Sequence, residues 1–352
     1  MSEKTSSTRR SLLQNSAMAA GAAALIATMR STAQSQYPSP APTDAWKRLY
    51  PGAQNERVKT SGAEINVVTM GQGAPLLMMH GAPQSLVTWY LIAAELSKNY
   101  RLIMTDHRGY GDSSKPADQP NHASQSKSNM ALDGVEVMKH YGYDRFAVVG
   151  HDRGGRVGRR MALDHPDKVT KLTVIDIVPS NYLYAHVTID FVQAYFHWFN
   201  YLRAAPGPEL ELLNTNMTQA APFSNGKGKG KGGAKGGGGG TDDLAALVAS
   251  EYQRHNTDIN MLHGMCEDYR ASASIDLDQD NADQKAGKKI QCPVNVLWAA
   301  PPGGAMGRLY DVLDIWKGEG VNVIGKALPG GHSLQETTPK ETTDEILNFM
   351  KG

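Results

Sequence analysis

The feature that most constrains this chain is a regular alternation of short apolar segments with longer amphipathic ones. Seven short runs have the length and composition of buried parallel strands. They are Glu64–Thr69, Pro75–His80, Leu102–Asp106, Phe146–Gly150, Leu172–Val178, Val294–Ala299 and Val321–Ala327. The helices predicted beside them are Leu86–Lys98, Ser126–Tyr141, Gly154–Asp164, Leu309–Lys317 and Lys340–Met350. This alternation favours an α/β fold with a doubly wound, mostly parallel sheet.

The alternation is interrupted once, between Pro179 and about Ala286. Aromatic-rich helical segments are predicted there instead, at Ile189–Leu202, Asp242–Arg254 and Ile259–Ser272. The simplest architecture is therefore one core sheet in two parts, residues 46–180 and 287–352, with a helical cap inserted at residues 181–286. A chain of 352 residues fits one such domain.

The N-terminus has the layout of an export signal. Arg9-Arg10 precedes an apolar run from Ala17 to Met29, and small residues follow at Ser31-Thr32-Ala33. This pattern predicts a twin-arginine signal over residues 1–33, a linker at 34–45, and a periplasmic or secreted protein. An uncleaved anchor or a disordered helix is the alternative. After cleavage no membrane association is expected.

Charge and composition narrow the classes of partner. The formal net charge is +1, so no overall basic field indicates binding to nucleic acid. The one local exception is residues 226–240 of the cap, which contain only Gly, Lys and one Ala. Such a segment buries no apolar surface, so a flexible, solvated loop is expected, although its lysines can also attract anions.

Cysteine and histidine spacing gives no indication of a disulfide framework or a metal centre. The chain has two cysteines, Cys266 and Cys292, one on a predicted helix and one before a predicted strand. Neither a CxxC nor an HxxxH spacing occurs. We therefore expect no bound metal and no other cofactor.

The strongest chemical signal is Gly150-His151-Asp152-Arg153-Gly154, which joins a predicted strand to a predicted helix. This is the spacing of a nucleophile elbow, with Asp where esterases have Ser. An ionised carboxylate needs no base to attack, and it can displace a leaving group from a saturated carbon to form an alkyl ester. The structural alternative is that Asp152 caps the helix.

Hydrolysis of such an ester needs a general base, which in this chain order follows the last strand. His332, in Gly330-Gly331-His332, is the candidate. Its orienting acid is predicted to be Asp176, which lies in an apolar run where an unpaired charge is costly. The loop 299–304, the other usual place, has no carboxylate. A helix-capping role is the alternative for Asp176.

These motifs resemble the fluoroacetate and haloacetate dehalogenase branch of the α/β-hydrolase superfamily. The resemblance covers roughly residues 50–350. The segments that carry it are His80-Gly81-Ala82-Pro83-Gln84, Asp106-His107-Arg108-Gly109-Tyr110-Gly111, Gly150–Arg156, Tyr195-Phe196-His197-Trp198 and Met265–Ala271. It implies hydrolysis of a small haloacid with water as the second substrate, and this branch is often a homodimer.

The resemblance also implies roles for individual residues. Asp152 is the nucleophile, His332 the base and Asp176 its partner. Arg153 and Arg156 clamp the substrate carboxylate, and His197, Trp198 and Tyr269 donate to the departing halide. His80, Gly81 and Ala82 form the oxyanion and pocket loop. For His197 and Trp198 the alternative is an aromatic face packed in the core of the cap.

Two departures from the family concern the site. Ala82 stands where the family usually has Phe after His-Gly, so a roomier pocket floor is expected, and Ser333 replaces a usual Phe after the histidine. Rival functions stay open as well. An epoxide hydrolase shares the three reacting residues and would use Tyr269, Tyr195 or Tyr201 as the acid. A non-catalytic protein that only binds a small acid or a partner protein is a second alternative, whereas the absence of G-x-S-x-G argues against a Ser-type esterase.

Overall fold

The computed structural model describes residues 38–218 and 242–351, and in this part of the chain eight strands form one sheet. The strands are β1 Gln54–Lys59, β2 Glu64–Met70, β3 Ala74–Met79, β4 Tyr100–Thr105, β5 Phe146–His151, β6 Val169–Ile175, β7 Val294–Ala299 and β8 Val323–Leu328. Their order is β1-β2-β4-β3-β5-β6-β7-β8. β2 runs antiparallel to β1 and β4, and every other neighbouring pair is parallel.

Helices flank the sheet and connect its strands. Those of the core are Ala45–Leu49, Ala93–Leu96, Lys127–His140, Arg153–Asp164, Ala305–Leu309, Val312–Lys317, Leu334–Thr337 and Pro339–Lys351, with 3-10 segments at Leu86–Trp89 and Pro120–Gln125. Between β6 and β7 the described residues form helices and no strand. These helices, which we call the cap, are Ser180–Ala185, Ile189–Tyr195, His197–Asn200, Gly207–Thr218, Asp242–Asn256, Ile259–Ser272 and Ile275–Lys285.

The central strands are buried on both faces. In β3, Leu77 belongs to the apolar cluster that contains Val157, whereas its neighbour Leu76 belongs to the cluster that contains Trp89. Successive side chains of a strand point to opposite faces, so each face must be covered by its own helices. Full burial of each such side chain stabilises the fold by about 1.5–3 kcal/mol. This explains the continuous apolar runs in the sequence.

Several elements differ from the sequence prediction. In the cap, the helix predicted at Ile189–Leu202 is divided into Ile189–Tyr195 and His197–Asn200, and the helices Gly207–Thr218 and Ile275–Lys285 were not predicted.

The core shows two differences. β1 was not predicted, because Val58 is its only buried residue and the strand is held by backbone pairing with β2 at the sheet edge. The helix predicted at Leu86–Lys98 is broken into a 3-10 turn, Leu86–Trp89, and a single α-turn, Ala93–Leu96. Both differences arise where tertiary packing, and not periodicity, decides the backbone.

Several predicted segments lie outside the described residues. They are the signal over residues 1–33 and the Lys/Gly loop 226–240, so export and loop flexibility stay predictions. Within the described residues, no helix is both long and apolar enough to span a membrane. Cys266 and Cys292 are both free thiols, Cys266 buried and Cys292 partly buried.

Candidate active site

Asp152 occupies the sharp turn between β5 and the helix Arg153–Asp164. Its backbone angles, φ 47° and ψ −115°, are rarely adopted by a residue with a side chain. The Asp152 N–H donates to the Ile175 carbonyl at 3.0 Å, and the Gly155 N–H donates to the Asp152 carbonyl at 2.9 Å. The turn is thus tied to β6 on one side and to the first helical turn on the other.

The two glycines of the elbow are required by close backbone approach. A Cβ at Gly150 would lie 2.3 Å from the Gly154 carbonyl oxygen, and a Cβ at Gly154 would lie 2.2 Å from the Met79 carbonyl oxygen. No side chain fits at such distances without moving backbone. The elbow therefore needs glycine at both positions, as the sequence pattern indicated.

His332 and Asp176 are brought together at the carboxyl ends of the strands. His332 Nδ1 donates to Asp176 Oδ2 at 2.6 Å. The carboxylate is fully buried, and its Oδ1 accepts the Ala299 N–H at 2.9 Å. The N-cap of the next helix is Pro179, so Asp176 does not cap it. Asp176 is therefore positioned to orient the histidine ring, as the triad arrangement requires.

The charges of these three residues are coupled. Burial lowers the pKa of His332, but the hydrogen bond and charge of Asp176 outweigh it and bring the pKa to about 9. Burial raises the pKa of Asp152, and the positive charge of His332 together with that of Arg156 reverses this, so that the pKa lies below its ordinary value. At neutral pH Asp152 is thus an ionised carboxylate beside a protonated histidine.

The loop after β3 approaches Asp152 closely. The Ala82 N–H donates to Asp152 Oδ2 at 3.1 Å, and a Cβ at Gly81 would lie 2.7 Å from Asp152 Cβ. The ring of His80 is fully buried and bonded within its surroundings, with Nδ1 donating to the Gly81 carbonyl at 2.7 Å and Nε2 accepting the His107 N–H at 3.1 Å. The hydrogen bonds of His80 therefore fix the loop after β3, and the Ala82 N–H of that loop donates to the Asp152 carboxylate.

Two buried guanidinium groups lie next to the elbow. Arg153 donates through Nε and Nη2 to the two oxygens of Asp268 at 3.0 and 2.9 Å, and Arg156 donates through Nε to the Val178 carbonyl at 3.0 Å. Arg153 Nη1 and both Nη atoms of Arg156 are buried without a hydrogen-bond partner among the described residues. Buried charged donors are costly when unpaired, so this arrangement favours a bound anion.

The predicted halide residues pack on these arginines. The Arg153 guanidinium lies 3.9 Å from the ring centroid of Tyr269, and that of Arg156 lies 4.4 Å from the ring of Trp198. Tyr269 contacts Trp198 edge-on at 5.3 Å and His197 at 6.1 Å. Burial lowers the pKa of His197 to about 4, so its ring is neutral at neutral pH. The aromatic group and the arginines form one site.

Comparison with known proteins identifies the family. A family model described as alpha/beta hydrolase fold matches residues 74–282. The chain belongs to the alpha/beta hydrolase family. The order of Asp152, Asp176 and His332 along the hydrolase is the order of nucleophile, acid and histidine in this fold.

Relatives of the hydrolase include dehalogenating and epoxide-cleaving enzymes. A fluoroacetate dehalogenase from Burkholderia sp is 36% identical over 302 residues, covering 86% of the hydrolase and 95% of the relative. A soluble epoxide hydrolase from Corynebacterium sp. (strain C12) is 28% identical over 298 residues, covering 82% and 94% respectively. A solved structure from Nostoc sp PCC 7120 is 42% identical, with a TM-score of 0.73 over 85% of the hydrolase and 98% of that chain.

Sequence reasoning did not single out Asp268 of the hydrolase. This fully buried carboxylate accepts the Tyr110 hydroxyl at 2.7 Å, pairs with Lys127, and binds Arg153 through both oxygens. Burial would raise the pKa of Asp268, but Arg153 and Lys127 hold it well below its usual range. The available signal was weak, because Asp268 lies beside Tyr269 but is also flanked by the charged residues Glu267 and Arg270.

Sequence reasoning also missed a hydrogen-bonded group that connects the segment of His332 to the elbow. Its members are His151, Gln84 and Ser333. His151 Nε2 donates to the His332 carbonyl at 3.0 Å, and His151 Nδ1 lies 2.8 Å from Gln84 Oε1. Gln84 Nε2 donates to the Ser333 hydroxyl at 3.0 Å. Ser333, which stands where the family usually has Phe, is 1% exposed and belongs to this buried network.

Proposed function

We propose that the hydrolase cleaves the carbon–halogen bond of a small 2-haloacid, such as a haloacetate, by attack of Asp152 on the carbon that bears the halogen. The observation that carries this proposal is the set of three unpartnered guanidinium nitrogens of Arg153 and Arg156, buried beside the nucleophile. A substrate carboxylate accepts hydrogen bonds from planar guanidinium donors in a matching geometry. Their positive charge also offsets repulsion between two anions.

The first step forms an ester on Asp152. A carboxylate oxygen of Asp152 bonds to the substrate carbon, and the carbon–halogen bond breaks with its electron pair leaving on the halide. His197, Trp198 and Tyr269 supply N–H and O–H donors for the halide, whose charge develops only as the bond breaks. The neutral ring of His197 keeps one N–H for this purpose.

The second step hydrolyses that ester. His332 takes a proton from water, and the resulting hydroxide attacks the carbonyl carbon of the Asp152 side chain. The Ala82 N–H, 3.1 Å from Asp152 Oδ2, is placed to stabilise the negative oxygen that forms. Collapse of this intermediate restores the Asp152 carboxylate and releases a 2-hydroxy acid. The proton on His332 then passes to solvent, so that one water is consumed and one hydrogen halide is produced.

Epoxide hydrolysis is the second candidate function. Two tyrosines support it, because the pKa values of Tyr195 and Tyr269 are raised chiefly by burial and also by the nearby charge of Asp152. Their hydroxyls therefore stay protonated and can act as proton donors. A neutral epoxide, however, leaves the guanidinium donors of Arg156 unpaired, which favours the haloacid.

Halide release tests the proposal. The purified protein and its Asp152→Asn variant are incubated separately with fluoroacetate, chloroacetate and styrene oxide, and halide is measured by ion chromatography. Halide from the wild type and none from the variant is expected. Diol from styrene oxide without halide would transfer the assignment to epoxide hydrolysis. Binding of the acid without turnover, unchanged by Asp152→Asn, would instead indicate a non-catalytic protein.

A further inference from the structure

Three tyrosines near the arginines have no role in the proposed cleavage of a haloacid. Tyr184 and Tyr195 lie on cap helices, and Tyr310 follows the helix Ala305–Leu309. We call these three residues the tyrosine group. The hydroxyl oxygens of Tyr184 and Tyr310 are buried without a hydrogen-bond partner among the described residues. Because a buried hydroxyl without a partner is costly, these two side chains indicate a bound molecule that supplies an acceptor.

Ring contacts connect the tyrosine group to the residues that hold Arg156. Tyr184 packs edge-on against Trp198, with 5.8 Å between the ring centroids, and the Arg156 guanidinium lies 4.4 Å from the same Trp198 ring. Phe191 contacts the ring of Trp198 at 6.1 Å, and it contacts the other two tyrosines of the group at 5.3 and 6.4 Å. The tyrosine group is therefore part of the aromatic packing that borders Arg156.

The charges of the reacting residues act on Tyr195. Burial raises the pKa of Tyr195 most, the negative charges of Asp176 and Asp152 raise it further, and the charge of Arg156 lowers it. The ring of Tyr195 also lies 5.9 Å from that of His197, which is one of the predicted halide residues. Tyr195 therefore keeps its proton at neutral pH beside the reacting groups, as a proton donor requires. A departing halide leaves as an anion and has no use for that proton.

Neither a haloacetate nor a neutral epoxide uses both sets of donors. A haloacetate pairs the free guanidinium nitrogens of Arg153 and Arg156 but takes no proton from a tyrosine. A neutral epoxide takes a proton but leaves those nitrogens unpaired. An epoxide that carries a carboxylate on a ring carbon uses both sets, because it has carboxylate oxygens for the guanidinium groups and a ring oxygen for a tyrosine.

We propose that the hydrolase also opens 2,3-epoxy acids, of which glycidate is the smallest, and converts them to 2,3-dihydroxy acids. This inference rests on the nucleophile and the carboxylate site of the proposed function. Arg153 and Arg156 hold the carboxylate, so that C2, which carries the ring oxygen in place of the halogen, faces Asp152. Tyr195 donates its proton to the ring oxygen, and the other two members of the tyrosine group donate hydrogen bonds to the oxygens of the substrate.

Ring opening and ester hydrolysis balance with water alone. A carboxylate oxygen of Asp152 bonds to C2, the bond from C2 to the ring oxygen breaks with its electron pair on that oxygen, and the oxygen takes the proton of Tyr195. His332 then takes a proton from water, and the hydroxide attacks the carbonyl carbon of the ester. Collapse restores the Asp152 carboxylate and releases the dihydroxy acid, and the proton on His332 replaces the one that Tyr195 lost. One water is consumed and no net proton is released, whereas a haloacid releases one proton in each turnover.

Parallel assays on the full chain test this proposal. Glycidate, its uncharged analogue glycidamide and chloroacetate are supplied separately, glycerate and glyceramide are measured by mass spectrometry, and chloride by ion chromatography. Glycerate is expected from the wild type and not from Asp152→Asn, with inversion of configuration at C2, because Asp152 attacks that carbon. The value of kcat/KM for glycidate should exceed that for glycidamide by at least about tenfold, since only the acid pairs with the guanidinium groups.

Tyr195→Phe separates the two reactions. Loss of the general acid should lower the rate of glycerate formation by about 100-fold or more relative to its effect on chloride release, which also reports that the variant is folded. The matched control is Tyr143→Phe, at a partly buried tyrosine that precedes β5 at the end of the strand away from Asp152. This control should form glycerate and chloride like the wild type.

The outcomes distinguish this inference from the proposed function. Chloride without glycerate would overturn the inference and leave the haloacid assignment intact, whereas glycerate without chloride would support the inference and overturn that assignment. Equal kcat/KM for glycidate and glycidamide would show that the arginines do not select the acid. Equal losses of glycerate and chloride formation in Tyr195→Phe would show that Tyr195 is not the proton donor, and either result would overturn the inference.

Discussion

Asp176 Oδ2 lies 2.6 Å from His332 Nδ1, and the other oxygen of the same carboxylate accepts the Ala299 N–H at 2.9 Å. Both carboxylate oxygens are thus committed, and the carboxylate cannot turn away from the ring. His332 Nδ1 keeps its proton for Asp176, so Nε2 is the nitrogen left to take a proton from water. This relationship separates the two steps of the proposed reaction, because the first needs Asp152 and only the second needs the base.

His332→Gln is therefore expected to trap the ester on Asp152. Mixing with chloroacetate should release about one equivalent of chloride per active site and then stop, since alkylation proceeds without a base. Intact-protein mass spectrometry should show the added carboxymethyl group, and peptide mapping should place it on Asp152. The control variant His140→Gln, at an exposed histidine that pairs with Glu56 of the edge strand β1, should turn over repeatedly. Steady turnover by His332→Gln would show that another group is the base.

The pH dependence follows from the same pair. Asp176 raises the pKa of His332 to about 9 against the effect of burial, and the charge of Asp152 adds to this. Esterification removes the Asp152 charge, so the pKa of His332 in the intermediate should fall below that of the free protein. The base acts when neutral, so ester hydrolysis should speed up as pH rises and level off above that lower pKa.

Single-turnover hydrolysis of the ester formed by the wild-type protein, followed by rapid quenching between pH 6 and pH 10, measures this profile. Asp176→Asn removes the negative charge that raises the pKa of His332, so the midpoint of the pH profile should move to lower pH. The plateau rate should fall by as much as about 10⁴-fold. A rate that falls as pH rises through this range would contradict His332 as general base.

Arg156→Lys is expected to reduce kcat/KM for chloroacetate by about 10- to 100-fold, chiefly through KM, because one charge-assisted hydrogen bond and the planar fork are lost. Turnover of chloroacetamide, which has no carboxylate, should change much less. Arg308→Lys, at an exposed position, is the matched control. Equal effects of Arg156→Lys on the acid and the amide would show that Arg156 does not bind the substrate carboxylate.

The sequence predicted the parts of the fold and site whose signals are local. Val148 and Val149 of β5 are both fully buried, on opposite faces, so the strand was visible as an apolar run. The elbow was visible because its two glycines and Asp152 lie within five consecutive residues. β1 was missed because an edge strand with one buried residue has no apolar pattern.

The parts that were missed depend on contacts between distant segments. Asp268 reaches Arg153 across 115 positions of sequence, and Gln84 reaches Ser333 across 249. No periodicity or spacing rule connects such pairs, since only the closure of the cap and the sheet brings them together.

Asp268→Asn is expected to destabilise the fold by about 3–5 kcal/mol at pH 7, because it leaves the buried charge of Arg153 without its carboxylate partner and leaves Lys127 with Asp276 alone. Urea unfolding measures this difference against Asp144→Asn, an exposed control expected to match the wild type. The pKa of Asp268 is held below its usual range in the folded state. The contribution of the Asp268 carboxylate to the free energy of unfolding is therefore fully present above its unfolded pKa, near 3.9. It is lost as pH falls through the lower pKa of the folded state.

The gap in stability between the wild type and Asp268→Asn should accordingly stay constant from pH 7 to about pH 5 and shrink below about pH 4. The expected slope is about 1.4 kcal/mol for each pH unit between the two pKa values. Urea midpoints at pH 7, 5, 4 and 3 give this curve if the wild type remains folded at the lowest value. A gap that is absent at pH 7, or that widens on acidification, would show that Asp268 is not the ionised partner of Arg153 and Lys127.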